Sequence, residues 1–192
     1  LKASPGAQVK RYKLPKQKYR WLSSAEGRRL IDVAEGQMKA FVAVGINTGL
    51  RKGEIFRLEW EDIDLEREEL TVREAKGGEF RVIPMNEELV QILRKHPRHI
   101  TSPYVFHRSN GEPWQDARKS YWETLNRAKL PTTFRFHDMR HTFISNLVAQ
   151  GEDLRSVQEL AGHKDIRTTM QYAHLAPGRL KEAVSRLKWE AG

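Results

Sequence analysis

The chain contains no cysteine. Disulfides and cysteine-based zinc sites are thereby excluded, although the absence names no compartment. No apolar run approaches the roughly 18 residues that a membrane-spanning helix needs. The longest, from Phe41 to Ile46, is interrupted by Gly45. The opening Leu1-Lys2-Ala3-Ser4-Pro5-Gly6 has neither an initiator methionine nor the apolar core of a signal peptide. A fragment of a longer protein is therefore expected. Internal repeats and low-complexity tracts are also missing.

What is present suits one globular domain. Of 192 residues, 39% are hydrophobic and 31% charged, unlike a disordered chain. Lysine and arginine number 34 against 25 acidic residues, a net charge of +9. Such a surface attracts polyanions, but it does not choose between DNA and RNA. Residues 1–20 are basic and broken by Pro5, Gly6 and Pro15. They read as a linker or arm able to lie on phosphates, followed by a domain over 21–192.

The apolar pattern predicts a mainly helical α+β fold. Ser23-Ser24 caps a helix with Leu30, Ile31 and Ala34 inward. Residues Gln37 to Thr48 form a helix apolar on most sides, central to the core and stopped by Gly49. Alternation over Ile63 to Leu65, Glu69 to Arg73 and Phe80 to Met85 predicts a small three-stranded antiparallel sheet, with a turn at Lys76-Gly77-Gly78-Glu79. Asn86 caps a further helix, and Trp114 to Lys129 reads as another. The last third is helical. Gly151 and Gly162 end two helices, Asp153 and Asp165 cap two, the second carrying Tyr172, and Leu180 to Leu187 stripe a final one.

Six residues carry possible chemistry: Arg51, Lys76, His137, Arg140, His163 and Tyr172. Arg51 follows a helix-ending Thr-Gly-Leu, where a planar guanidinium held firmly can grip two phosphate oxygens. His137 and Arg140 are three apart at a helix start, so they share a face. A helix start also offers free N–H groups to an anion. His163 sits at a helix-to-helix turn, nine residues before Tyr172. A tyrosine, with a free pKa of about 10, needs a base or a positive pocket to attack. Lys76, at a hairpin turn, can give a proton to a leaving oxygen. His141 adjoins Arg140 but is expected to face elsewhere. Taken singly, each has an ordinary reading as a surface, capping or half-buried residue. Their order and contexts together are what stand out.

Those contexts resemble the tyrosine recombinases: phage integrases, Xer recombinases, Cre-like enzymes and transposon integrases. The likeness runs from about Trp21 to Leu187. It rests on Thr48-Gly49-Leu50-Arg51-Lys52-Gly53-Glu54-Ile55, on His137-Asp138-Met139-Arg140-His141-Thr142-Phe143 continuing to Leu160-Ala161-Gly162-His163, and on Thr168-Thr169-Met170-Gln171-Tyr172-Ala173-His174. Lys76 matches the family's hairpin lysine through Gly77-Gly78, with Lys52 and Arg73 nearby in sequence. Ala161 stands where many relatives carry leucine.

The resemblance implies the catalytic domain of a site-specific recombinase. Tyr172 would attack a DNA phosphate and form a 3′-phosphotyrosine. Arg51 and Arg140 would clamp the non-bridging oxygens, and His163 would hydrogen-bond the same phosphate. His137 would accept or shuttle the phenol proton, Lys76 would protonate the leaving 5′ oxygen, and Glu54 would support Arg51. No cofactor and no metal are implied. The implied partners are double-stranded DNA, an amino-terminal core-binding domain absent from this chain, and further copies forming a tetramer on DNA, with a monomer otherwise. The final helix would pack on a neighbour or on its own domain. The implied setting is the cytoplasm, with the nucleoid of a prokaryote or the DNA of a phage. Three rivals remain at this point, one of them a type IB topoisomerase role, which shares this chemistry and differs in lacking site preference. Residues 156–174 mimic a helix-turn-helix, the mark of a non-enzymatic binder. His137, His141 and His163 suggest a metal-dependent nuclease, though few carboxylates lie near them in sequence.

Overall fold

The computed structural model describes residues 20–73, 80–178, 184, 185 and 187. The chain is mostly helical, with a three-stranded antiparallel sheet in the order β1-β2-β3. Lys76, residues 1–19 and most of the expected final helix lie outside the described residues.

Helix α1 (Ser24–Val33) starts at a reciprocal cap. Ser23 Oγ accepts the Glu26 N–H, and the Glu26 carboxylate accepts the Ser23 N–H at 3.0 Å. Helix α2 (Gly36–Thr48) is buried on nearly every side, as its apolar sequence requires. Phe41, with 0% exposure, meets the rings of Phe56, Phe106, Trp114 and Phe136 at 5.4 to 5.7 Å between centroids. Burying such a side chain stabilises the fold by roughly 3 kcal/mol. The helix stops at Gly49, whose φ of 63° lies in the left-handed region. A Cβ there would also come within 2.4 Å of the Phe143 ring.

Helix α3 (Lys52–Phe56) leads into β1 (Ile63–Asp64), β2 (Glu69–Arg73) and β3 (Phe80–Pro84). Ile63 pairs with Leu70, Leu70 with Ile83 and Val72 with Arg81. Helix α4 (Glu87–Arg94) is capped by Asn86, whose side chain accepts the Leu89 N–H at 3.0 Å.

Helix α5 spans Arg118–Arg127, shorter than the stretch from Trp114 to Lys129 that the sequence suggests. The reason is local. The Trp114 N–H bonds the Phe106 carbonyl, and its indole N–H bonds the His107 carbonyl at 2.8 Å, so this backbone is tied to a bridge. At the other end Lys129 takes φ 52°, which no helix continues.

Helix α6 (Phe136–Gln150) packs along α2 and ends at Gly151. Helix α7 (Leu154–Ala161), capped by Asp153, packs on α6 and β3 and ends at Gly162. Helix α8 (Ile166–Met170), capped by Asp165, stops two residues short of Tyr172. Tyr172 therefore sits on the turn after α8, ahead of a single 3-10 turn over Ala173–Leu175, not within the helix.

Two apolar clusters result. The large one surrounds α2 and reaches the sheet, α4 and α5. The smaller joins Phe143, Ile144, Val148, Val157, Ala161 and Tyr172.

Candidate active site

Four chain segments converge beside Gly49 and Gly162. The first supplies Arg51, the residue capping α3. Its Nη1 donates to Glu54 Oε1 at 2.8 Å, its backbone N–H to Glu54 Oε2 at 2.8 Å, and its Nη2 to the Gly162 carbonyl at 3.0 Å. Arg51 thus ties α3 to the turn that carries His163. Its side chain remains 45% exposed, open to a ligand.

Strand β3 supplies Arg81, whose Nη2 donates to Glu54 Oε2 at 2.9 Å. Two guanidiniums therefore share one carboxylate. Burial pushes the Glu54 carboxyl up, but the bonds from Arg81 and from the Arg51 N–H hold it below the usual range. Arg81 lies flat against Gly162. A Cβ on Gly162 would sit 2.9 Å from its guanidinium carbon, and φ there is 65°. Only glycine meets both demands.

Helix α6 supplies His137, Arg140 and His141. Arg140 is 2% exposed, and its Nη1 donates to the Gly49 carbonyl at 2.7 Å. Its Nη2 is buried with no hydrogen-bond partner among the described residues. Burial, then the charge of Arg51, lowers its pKa to about 10, so it stays cationic at neutral pH. A buried cation with a spare donor is built to receive an anion.

His163 follows α7. Its Nδ1 meets Thr169 Oγ1 at 2.8 Å, and Gln158 Nε2 holds its carbonyl at 2.8 Å. Burial, Arg140 and Arg51 lower its pKa to about 4. His137 is lowered too, by burial and by Arg140. Both are neutral at pH 7. Tyr172, 5% exposed, completes the group: its hydroxyl hydrogen-bonds His141 Nδ1.

That contact corrects one expectation. His141 does not face away from the site. Four residues after His137, it lies on nearly the same helix face, and the two rings meet edge to face at 4.6 Å. Burial, His137, Arg140 and His163 lower its pKa to about 4. The spacing of the two histidines was the signal that pointed to it. Arg81 had a signal as well, because in β3 it shares a face with buried Ile83. Thr169 and Gln158 had none. The structure brings together Arg51, Glu54, Arg140, His163, His137 and Tyr172, while Lys76 lies outside the described residues. Among the described residues, no group of three or more His, Asp or Glu is placed to hold a metal ion. None of their helices is long and apolar enough to cross a membrane.

The model of the phage integrase family matches residues 20–179. The chain belongs to that family. It is 35% identical to the tyrosine recombinase XerA of Pyrococcus furiosus, over 91% of this chain and 64% of that protein. It is 33% identical to the integrase of Salmonella phage P22, over 88% of this chain and 47% of that one. Its fold matches the catalytic domain of bacteriophage HP1 integrase with a TM-score of 0.69, at 26% identity over 88% of this chain and 95% of that domain. The chain spans about half to two thirds of the length of the two full-length relatives. Within the integrase family frame, the site has a buried cationic centre, neutral histidines and a docked phenol.

Proposed function

We propose that this chain is the catalytic domain of a site-specific DNA recombinase that breaks and rejoins strands through a 3′-phosphotyrosine. One juxtaposition carries the reading. The Tyr172 hydroxyl rests on His141, the neighbour of Arg140, whose buried guanidinium keeps a donor with no partner among the described residues. A nucleophile thus lies close enough to an anion receptor for the charge of Tyr172 to act on Arg140.

Each residue then has a task. Arg51 and Arg140 hold the non-bridging oxygens of the scissile phosphate and stabilise the charge of the pentacoordinate transition state. Glu54 fixes Arg51. His163, steadied by Thr169, directs its other ring nitrogen to the phosphate. Tyr172 Oη bonds to phosphorus as the bond to the 5′ oxygen breaks. His137 shuttles the phenol proton, and Lys76 protonates the departing 5′ oxygen. A 5′-hydroxyl from a second strand reverses these steps. The bond energy is kept in the phosphotyrosine, so no nucleotide is consumed. Tyr172 is docked against its own chain, which favours attack in cis. Residues 1–20 serve as a basic link to a core-binding domain, and four copies assemble on two DNA sites, beside the nucleoid. The net charge of +9 suits the polyanion that this chemistry requires.

The test is a nicked suicide duplex made from the protein's own attachment site. A denaturation-resistant adduct should form in EDTA, and Tyr172→Phe should abolish it. Arg51→Ala should slow it by about 100-fold or more, the scale of losing one transition-state donor. Adduct formation by Tyr172→Phe at wild-type yield would remove the nucleophile assignment.

A further inference from the structure

The imidazole that meets the phenol hydroxyl among the described residues is not the one that motif order favours. His141 is 7% exposed and Tyr172 5%, with ring centroids 5.9 Å apart and Nδ1 on the hydroxyl. His137 lies nearer the surface, and its described ring contact is with His141. Tyr172 is packed as well as hydrogen-bonded. Its ring belongs to the small apolar cluster with Phe143 and Ile144. Behind the contact, His141 stands on α6 and Tyr172 rests on that cluster.

We propose that His141 holds Tyr172 for attack and takes its proton directly, with His137 acting one step further out. This rests on the recombinase reading above. In the free protein His141 is neutral, and with its hydrogen on Nε2, as the proposal requires, the phenol O–H donates and the Nδ1 lone pair accepts. Among the described residues, the charged and titratable groups facing His141 include His137 and Arg140 from α6, His163 from the turn after α7, and Tyr172. The cationic charge of Arg140 opposes proton transfer while the pocket is without phosphate. A bound phosphodiester brings one negative charge, and attack adds another. That charge offsets the guanidiniums, so Nδ1 gains basicity as the bond forms. The phenol is armed only when a phosphate is in place.

The step balances. The bond from Tyr172 Oη to phosphorus forms, and the bond from phosphorus to the 5′ oxygen breaks. The phenol proton passes to Nδ1 and makes an imidazolium, while the 5′ oxygen takes its proton from Lys76. On rejoining, the attacking 5′-hydroxyl gives its proton to the Lys76 amine, and His141 returns its own to the phenolate.

Single-turnover cleavage of the same nicked duplex by the full-length protein tests this. His141→Asn places an amide oxygen near the site of Nδ1. It keeps an acceptor for the phenol but cannot carry the proton. Adduct formation should fall about 100-fold, the scale of a lost proton acceptor, with DNA affinity unchanged within about twofold. A duplex with sulfur in place of the 5′ leaving oxygen departs without a proton. It should rescue Lys76→Ala and leave His141→Asn slow. If His141→Asn cleaves at the wild-type rate, or if sulfur rescues it, His141 is not the acceptor, while a silent Tyr172→Phe keeps the recombinase reading intact. If Tyr172→Phe still forms adduct, the reading itself fails. Nitrogen NMR of the unaltered protein decides independently of any folding defect in the variants. His141 should carry its hydrogen on Nε2, and a resonance showing it on Nδ1 would overturn the proposal.

Discussion

The two halves of the site are built by different means. The cationic half is wired. Glu54 joins Arg51 and Arg81, Arg51 reaches the Gly162 carbonyl, and Arg140 is pinned to Gly49 at the end of the most buried helix. The phenol half is perched. Tyr172 rests on the smaller apolar cluster, beyond a five-residue helix, and is attached to the wired half through histidines. A phosphate receptor benefits from rigidity, since donors fixed beforehand need no reorganisation when charge develops. A nucleophile that must leave with its phosphate, and later return, benefits from a lighter anchorage. The contrast separates holding the substrate from moving the strand.

The comparison breaks first at Arg81, where the largest effect is expected. Arg81→Ala strips a mostly buried carboxylate of one of its two cations and opens a gap against Gly162. Breaking a buried pair from one side costs about 3 kcal/mol or more. Urea denaturation should show that loss, and adduct formation should fall as Arg51 loosens. A loss below about 1 kcal/mol would mean that the wiring is ornamental and that packing alone sets the cationic half.

This wiring is also where the sequence was least legible. The order of helices, the three strands and the caps at Ser23, Asn86, Asp153 and Asp165 follow local rules, and those rules govern the observed elements. Arg51, Arg140, His163 and Tyr172 stood out because each sits at a marked break: after Gly49, at a helix start, after Gly162, or in a distinctive tail segment. Arg81 and Thr169 sit inside regular elements and at no such break; the strand face that Arg81 shares with Ile83 says that it points inward, not which distant residue folds against it. Trp114 shows the same limit from the other side. Its helical pattern lost to a tertiary bond with His107, which no local propensity records.

An intermediate effect is expected from acid. His141 and His163 have pKa values near 4 in the fold, against about 6.5 when unfolded. Their folded values are depressed, so below pH 6.5 the unfolded chain binds more protons. Stability should therefore fall as pH drops from about 6.5 toward 4 and level off beneath that. Between pH 7 and pH 5 the loss should be about 2 kcal/mol for one such histidine, and more for the pair. Capping carboxylates such as Asp153 and Asp165, themselves lowered, add to the loss only nearer pH 4. Denaturation curves at pH 7 and pH 5 measure it, and His163→Gln should flatten the slope between them. A flat profile in the unaltered chain would show that the perched half carries no buried neutral histidine.

The smallest effect sharpens the contrast most. Thr169 is fully buried, and its hydroxyl meets His163 Nδ1 at 2.8 Å. Thr169→Val keeps the shape and deletes that hydrogen bond. The loss of stability should be about 1 kcal/mol, the net worth of one such bond with its partner left behind. The effect on cleavage should be larger than that number suggests. The Thr169 bond fixes where the His163 ring points, and a misdirected ring weakens the contact with the phosphate in the transition state alone. The adduct rate should then fall several-fold while DNA affinity holds. Equal losses in rate and affinity would argue the opposite: that His163 grips DNA before reaction as firmly as during it, and belongs with the wired half.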